Sequence, residues 1–196
     1  MAKRSTKVAL TILGAAAFGL AGCREEQTDA RAFPDHASCV AAAAEGPGWF
    51  TASDCDKTFA DAQALHLETA PRYESQALCE AEHGPEACAP DPAAAQAQQG
   101  GGGFSFMPLL AGYMIGSMLG GGRGVAAQPL VKTPGGGFAT PDGSTRMGNN
   151  TGSGKMATSA FAKAPATIGK APMSSADVAR RGGFGASAAG RATAGG

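Results

Sequence analysis

Four cysteines, Cys39, Cys55, Cys79 and Cys88, carry the most obvious chemistry in this chain, and their spacing contains a repeat. The stretch FPDHASCVAAAAEG (33–46) parallels YESQALCEAEHG (73–84). Each has an aromatic residue, a helix-capping residue two positions later (Asp35, Ser75), a cysteine four after that, a glycine beyond, and then a second cysteine. Two copies of one unit predict bridges Cys39–Cys55 and Cys79–Cys88, and an even set in an exported chain reads as two disulfides. Loops of that size contribute roughly 2–3 kcal/mol each in the chain-entropy view. A metal site built from Cys79, His83, Cys88 and His66 is the competing use of these side chains. Their spacing fits no zinc pattern and oxidised thiols do not ligate, so neither metal nor cofactor is expected.

The fifth cysteine, Cys23, stands apart. MAKRSTKVALTILGAAAFGLAGC places three basic residues before an uncharged run from Val8 to Gly22, so residues 1–22 read as a secretory signal peptide. Leu20-Ala21-Gly22-Cys23 resembles the lipobox of bacterial lipoproteins. The resemblance implies cleavage before Cys23, a diacylglyceryl group on its sulfur, and an acyl chain such as palmitate on the new amine. At about 0.8 kcal/mol per buried methylene, two or three such chains anchor durably. An apolar run of 15 residues is short for a membrane span. Arg24, by resemblance to proteobacterial sorting, implies the outer membrane, facing the periplasm.

Stepping outward from these residues, charge divides the chain in two. Cys23 to Asp91 holds 14 acidic and 4 basic residues; Pro92 to Gly196 holds 2 acidic and 9 basic. Of 30 glycines, 24 lie from Gly100 onward. So glycine-rich a tail has few large side chains to offset an ordering cost of about 1–2 kcal/mol per residue. The expected organisation is a tether over 23–32, an acidic helical domain over 33–91, a linker over 92–103, an apolar segment over 104–120, and a basic disordered tail over 121–196. The expected fold is therefore a small all-α, disulfide-stabilised domain with one further short helix.

Three helices are predicted in the acidic domain. Asp35 or Ser38 caps the first, which ends near Glu45; Thr51 or Ser53 caps a longer one reaching about Thr69, before Pro71. Ser75 caps a third, to His83, and Gly84 stops it. In FSFMPLLAGYMIGSMLGGGRG (104–124), Gly112, Gly116 and Gly120 recur every four residues beside Leu110, Met114 and Met118. Read as a helix, this is a glycine-zipper face for self-association or an envelope partner. Phe104 to Leu119 is 16 residues, about 24 Å of helix, too short for a hydrocarbon core of about 30 Å.

Two tail motifs mislead. MGNNTGSGKMAT (147–158) puts Asn149 where a phosphate loop needs its first glycine and Met156 where it needs a hydroxyl. RRGGFG (180–185) occurs once, and an exported chain meets little RNA, so no nucleic acid is expected as a partner. The basic tail has anionic lipid, cell-surface polyanions or its own acidic half as contacts, or only solubilises. No histidine or cysteine follows residue 88, and no nucleophile–base signature exists, so an enzyme is not expected.

The lipobox-like start, the four-cysteine framework with APRYESQALC (70–79), the FMPLLAGYMIG run with GGG and QPL (106–130), and RGGFG together resemble the YgiB family of uncharacterised bacterial proteins. That resemblance implies an envelope setting and brings no activity, cofactor or catalytic residue. The functional expectation is a lipid-anchored cell-envelope protein that acts by interaction or assembly. The alternative is a periplasmic accessory that binds a metal or polyamine or assists an envelope enzyme.

Overall fold

A computed structural model describes residues 25–46, 48–97, 104–118 and 124–181. Residues 1–22, read from the sequence as a signal peptide, with Cys23, Gly120 and residues 182–196, lie outside the described residues.

The sequence expectation of an all-α domain is overturned, because the architecture is mixed α/β. The main sheet has four strands, β1 (Gln27–Phe33), β4 (Tyr113–Ser117), β5 (Val125–Pro129) and β9 (Gly152–Ala157), in the order β5-β4-β1-β9. All its pairings are antiparallel. A two-stranded sheet joins β2 (Cys88–Pro90) to β3 (Phe106–Pro108), and a three-stranded one holds β6 (Val131–Lys132), β7 (Phe138–Ala139) and β8 (Arg146–Met147). The helices are α1 (His36–Ala44), α2 (Ala52–Thr69), α3 (Gln76–His83), α4 (Pro92–Ala97) and α5 (Ser175–Arg180), with a 3-10 turn at Thr158–Phe161.

The three predicted helices form where their caps place them. Asp35 Oδ1 accepts from the Ser38 N–H at 2.7 Å, at the start of α1. Thr51 and Asp54 cap each other reciprocally at α2, and Ser75 Oγ accepts from the Leu78 N–H at 3.2 Å at α3. Each cap satisfies backbone donors the helix itself leaves open. Gly84, at φ 97°, then takes a conformation that favours glycine.

The segment expected to be a tether supplies one of the sheet's two inner strands. In β1, Thr28, Ala30 and Ala32 are buried while Gln27, Asp29 and Arg31 are more exposed, the period of two that a strand imposes. One face of the main sheet presents Phe33, Tyr113, Ile115 and Ala127 to α1 and α2, where Phe50, Ala62 and the buried Cys39–Cys55 bridge complete the core. The other presents Ala32 and Met114 to Leu130, Phe138, Met147 and Phe161. A third cluster packs Tyr73 and Val178 around the Cys79–Cys88 bridge, which ties α3 to β2.

The glycine-zipper helix and the disordered tail are corrected together. Residues 106–108 and 113–117 are strands, and the chain from Val125 to Arg180 supplies five more strands, the 3-10 turn and α5. A spacing of four suits a strand of period two as well as a helix, so Gly112, Gly116, Met114 and Met118 share parity in either. Gly112 has φ 134°, and a Cβ there would stand 2.7 Å from the Phe33 carbonyl oxygen. Gly116 lies under the Phe161 ring, where a Cβ would come within 2.6 Å of Cε2. Both glycines serve close approach inside this chain. The tail orders because its backbone completes ladders and it buries several of its larger side chains: Leu130 and Val131 are wholly buried. Gln128 Nε2 donates to the carbonyls of Ala160 (3.1 Å) and Ala162 (2.8 Å), sewing the 3-10 turn to β5.

Gly116→Ala should therefore destabilise the fold by about 1–3 kcal/mol through overpacking. Denaturant unfolding should show the loss, and adding Phe161→Ala should make the double change less than additive. Full additivity would mean the ring does not rest on this glycine.

Candidate functional site

Tertiary structure places the side chains with chemical potential in three settings. His83 is buried on α3: its Nδ1 lies 2.8 Å from the Lys132 carbonyl oxygen and its Nε2 lies 2.8 Å from Tyr73 Oη. The carbonyl can only accept, so Nδ1–H donates to it, and Nε2 accepts the Tyr73 O–H. This wiring suits neutral imidazole. Burial, the largest influence, lowers the His83 pKa and also raises that of the Tyr73 phenol. A ring holding a phenol proton on one side and donating on the other is a packing strut between α3 and β6.

His66, on α2, is buried, and its Nδ1 finds no hydrogen-bond partner. Desolvation drives its pKa down to about 4, with the Pro108 carbonyl opposing and Arg72 and His83 adding to the drop. His36 is partly exposed and sits 2.7 Å from Asp56 Oδ1. The histidines thus do not converge. With all four cysteines of the framework in bridges, the metal set of Cys79, His83, Cys88 and His66 has no free thiolate. Among the described residues no group of three or more His, Cys, Asp or Glu side chains is placed to hold a metal ion.

The second setting, a buried ion pair, escaped sequence reading. Arg72 Nε donates to Asp91 Oδ2 at 2.6 Å, and both side chains are about 95% buried or more. The guanidinium also donates to the carbonyls of Ala70 (3.2 Å) and Leu67 (2.7 Å) and to Thr167 Oγ1. Asp91 accepts further from Ser105 Oγ at 3.1 Å and from the Ala93 N–H at 2.9 Å. Burial pushes the Asp91 pKa up, and these donors outweigh it, leaving the carboxyl below its usual range. A cleft of about 410 Å³ opens over this pair, lined by Ser105, Ile168, Lys170 and Pro172 among others. Its floor is a clasp joining the end of α2, the start of α4, the approach to β3 and the tail. Of its polar lining, Ser105 Oγ is held by Asp91, and Lys170 stands at the wall. The only advance signal was the pair of types itself, an Arg after Pro71 and an Asp between Pro90 and Pro92.

The third setting is the outer surface of the main sheet. β5 is covered by α2, whereas β9 is an outer strand whose Gly152, Ser153, Gly154 and Lys155 are exposed. Lys155 Nζ bonds Asp29 Oδ1 at 2.8 Å, and Lys163 Nζ bonds Glu68 Oε1 at 2.8 Å. The basic tail therefore folds onto the chain's own acidic half. These pairs are solvent-exposed, so they orient more than they stabilise. Of the residues expected to meet a partner, Gly112 and Gly116 are occupied by this chain, which removes them as a free contact face.

The chain belongs to the family described as protein of unknown function (DUF1190), whose pattern matches residues 18–195. A UPF0441 protein of Pectobacterium carotovorum is 36% identical over 198 residues, covering 93% of this chain and 80% of the relative. A UPF0441 protein of Pectobacterium atrosepticum is 35% identical over the same span and coverage. The resemblance to the uncharacterised YgiB family is thereby established. No solved structure matches the chain.

Two outcomes follow from the buried groups. Asp91→Ala should cost about 3–5 kcal/mol, because it strands the Arg72 guanidinium without its counter-charge. Arg72→Met combined with Asp91→Leu should recover much of that loss in denaturant melts. His66 is neutral when folded, so its unfolded form binds more protons between its folded value of about 4 and the ordinary 6.5. Stability from this group is complete above pH 6.5 and falls as pH drops toward 4, by roughly 3 kcal/mol in all. Urea midpoints at pH 7 and pH 4.5 should differ less in His66→Leu than in the native chain; an unchanged difference would refute the assignment.

Proposed function

We propose that this member of a family of unknown function is a cell-envelope protein, held to the membrane by lipid on Cys23, that works by contact and assembly with catalysis absent. The observation that carries the reading is how the fold holds Glu25 and Glu26, two and three positions past Cys23. Glu26 accepts the Thr158 N–H at 2.8 Å through its carbonyl, and Glu25 Oε1 accepts from Ser159 Oγ at 2.6 Å. Only Arg24 separates Cys23 from residues already held by the fold. β1, an inner strand of the main sheet, begins at Gln27. A short link leading into a strand paired on both edges suits a domain meant to stand on its anchor.

Other features agree. Two buried disulfides suit an oxidising compartment. Among the described residues no helix is long and apolar enough to cross a membrane. The buried histidines, arginine and aspartate are engaged in packing, so the surface is what remains to act. Arg24 after the lipidated position supports the outer membrane, facing the periplasm, as the location.

Cys23→Ser tests this. Cells expressing the variant should lose radiolabelled palmitate on the protein and accumulate it as an unprocessed precursor. Full processing of the variant and unchanged membrane retention would overturn the proposal.

A further inference from the structure

Resting on that reading, we infer that the chain meets the bilayer with one particular end of its main sheet, the end carrying Met118, and directs the opposite end, carrying Trp49, away from the membrane. The first support is reach. From Cys23 to Glu25 is two residues, which span at most about 7 Å even when extended. The polar interface on each side of a bilayer is about 5–8 Å thick. Glu25 and Glu26 are pinned to Ser159 and Thr158, so the structure at this end has no slack with which to stand clear of the headgroups.

The second support is what shares that end. β4 and β9 run antiparallel to β1, so their C-terminal ends, and the N-terminal end of β5, lie beside Gln27. Gln27 is opposite Ala157, and Ser117 is opposite Val125. Ala30 opposite Gly116 sets Met118 level with Thr28, whose hydroxyl donates to the Ser117 carbonyl. Met118 is 56% exposed, among the largest such fractions for an apolar side chain here, and its N–H donates to the Gly124 carbonyl at 3.0 Å, keeping it on the ladder. An apolar side chain held rigidly beside a lipid attachment point finds its natural cover in the acyl–headgroup boundary.

The opposite end is marked by the chain's single tryptophan. Phe33, the last residue of β1, lies six residues beyond Gln27, about 20 Å along the strand. Its ring centroid is 5.7 Å from that of Phe50, and Phe50 is 5.1 Å from Trp49. Trp49 and a reporter at Met118 therefore sample opposite ends of the sheet.

The experiment uses the full-length lipidated chain in phosphatidylethanolamine and phosphatidylglycerol vesicles whose acyl chains are brominated to quench tryptophan. The native chain reports from Trp49. A Trp49→Phe, Met118→Trp chain reports from the other end, with Trp49→Phe, Gly124→Trp as a second reporter, since a side chain added at Gly124 meets open space. Brominated lipid should cut emission about two-fold from the reporters at 118 and 124, whose side chains would sit at the acyl–headgroup boundary, and leave Trp49 unchanged. Equal quenching at both ends, or quenching of Trp49 alone, in chains that float with the vesicles overturns the orientation and leaves the anchor standing. A native lipidated chain that does not float overturns the anchor, and the orientation with it.

Discussion

The pairing of β1 on both its edges is the interaction on which the rest of the structure depends. Ala30 is opposite Gly116 on one side and Gly154 on the other, so a segment near the start of the chain collects strands from its middle and its last third. A lone hairpin such as β4–β5 is marginal in water. With β1 and β9 added, the same strands gain two covered faces, one under α1 and α2 and one under the 3-10 turn and the small sheet. The helices alone would leave Tyr113 and Ile115 without the surface they bury, and the tail alone would have no ladder to join.

Small residues make that arrangement close-fitting. Alanine and glycine let the strands carry neighbours at very short range: Phe161 rests on Gly116, and the Phe33 carbonyl crowds Gly112. Large side chains are few, so polar devices hold the remaining junctions. The Arg72–Asp91 clasp gathers four segments, His83 links Tyr73 to Lys132, and Gln128 binds the 3-10 turn. Such groups are costly to bury without partners, and each of these draws on backbone carbonyls, Arg72 and His83 on side chains as well. The disulfides act within this scheme as local braces, one between α1 and α2 and one between α3 and β2.

The cancellation of charge between the two halves also gains a structural meaning. Lys155 on β9 meets Asp29 on β1, and Lys163 meets Glu68 on α2. The basic tail lies along the acidic half as part of one fold, with sign complementarity helping to choose its register.

What the sequence determined by itself was local. Asp35, Thr51, Ser75 and Gly84 announce helix ends because a cap and the donors it satisfies lie within four residues of each other. The cysteine repeat likewise pairs neighbours, and the structure joins Cys39 to Cys55 and Cys79 to Cys88. The lipobox resemblance at Cys23 is a linear pattern too, and Cys23 lies outside the described residues. Tertiary structure alone decided the strands. QTDARAF has weak intrinsic strand preference, and its alternation of small and polar residues becomes meaningful only when Met114 and Lys155 lie beside it. Glycines four apart fit both periods, so Gly112 and Gly116 could not show which applied until Phe33 and Phe161 closed over them. Arg72 and Asp91 are ordinary charged residues in the chain, 19 positions apart, and become a buried clasp only once Thr167 and Ser105 arrive from far along the sequence. Caps act within one helical turn and are legible; ladders and clasps draw their energy from partners far along the chain, as Gln27 does from Ala157, and only the folded chain brings those together.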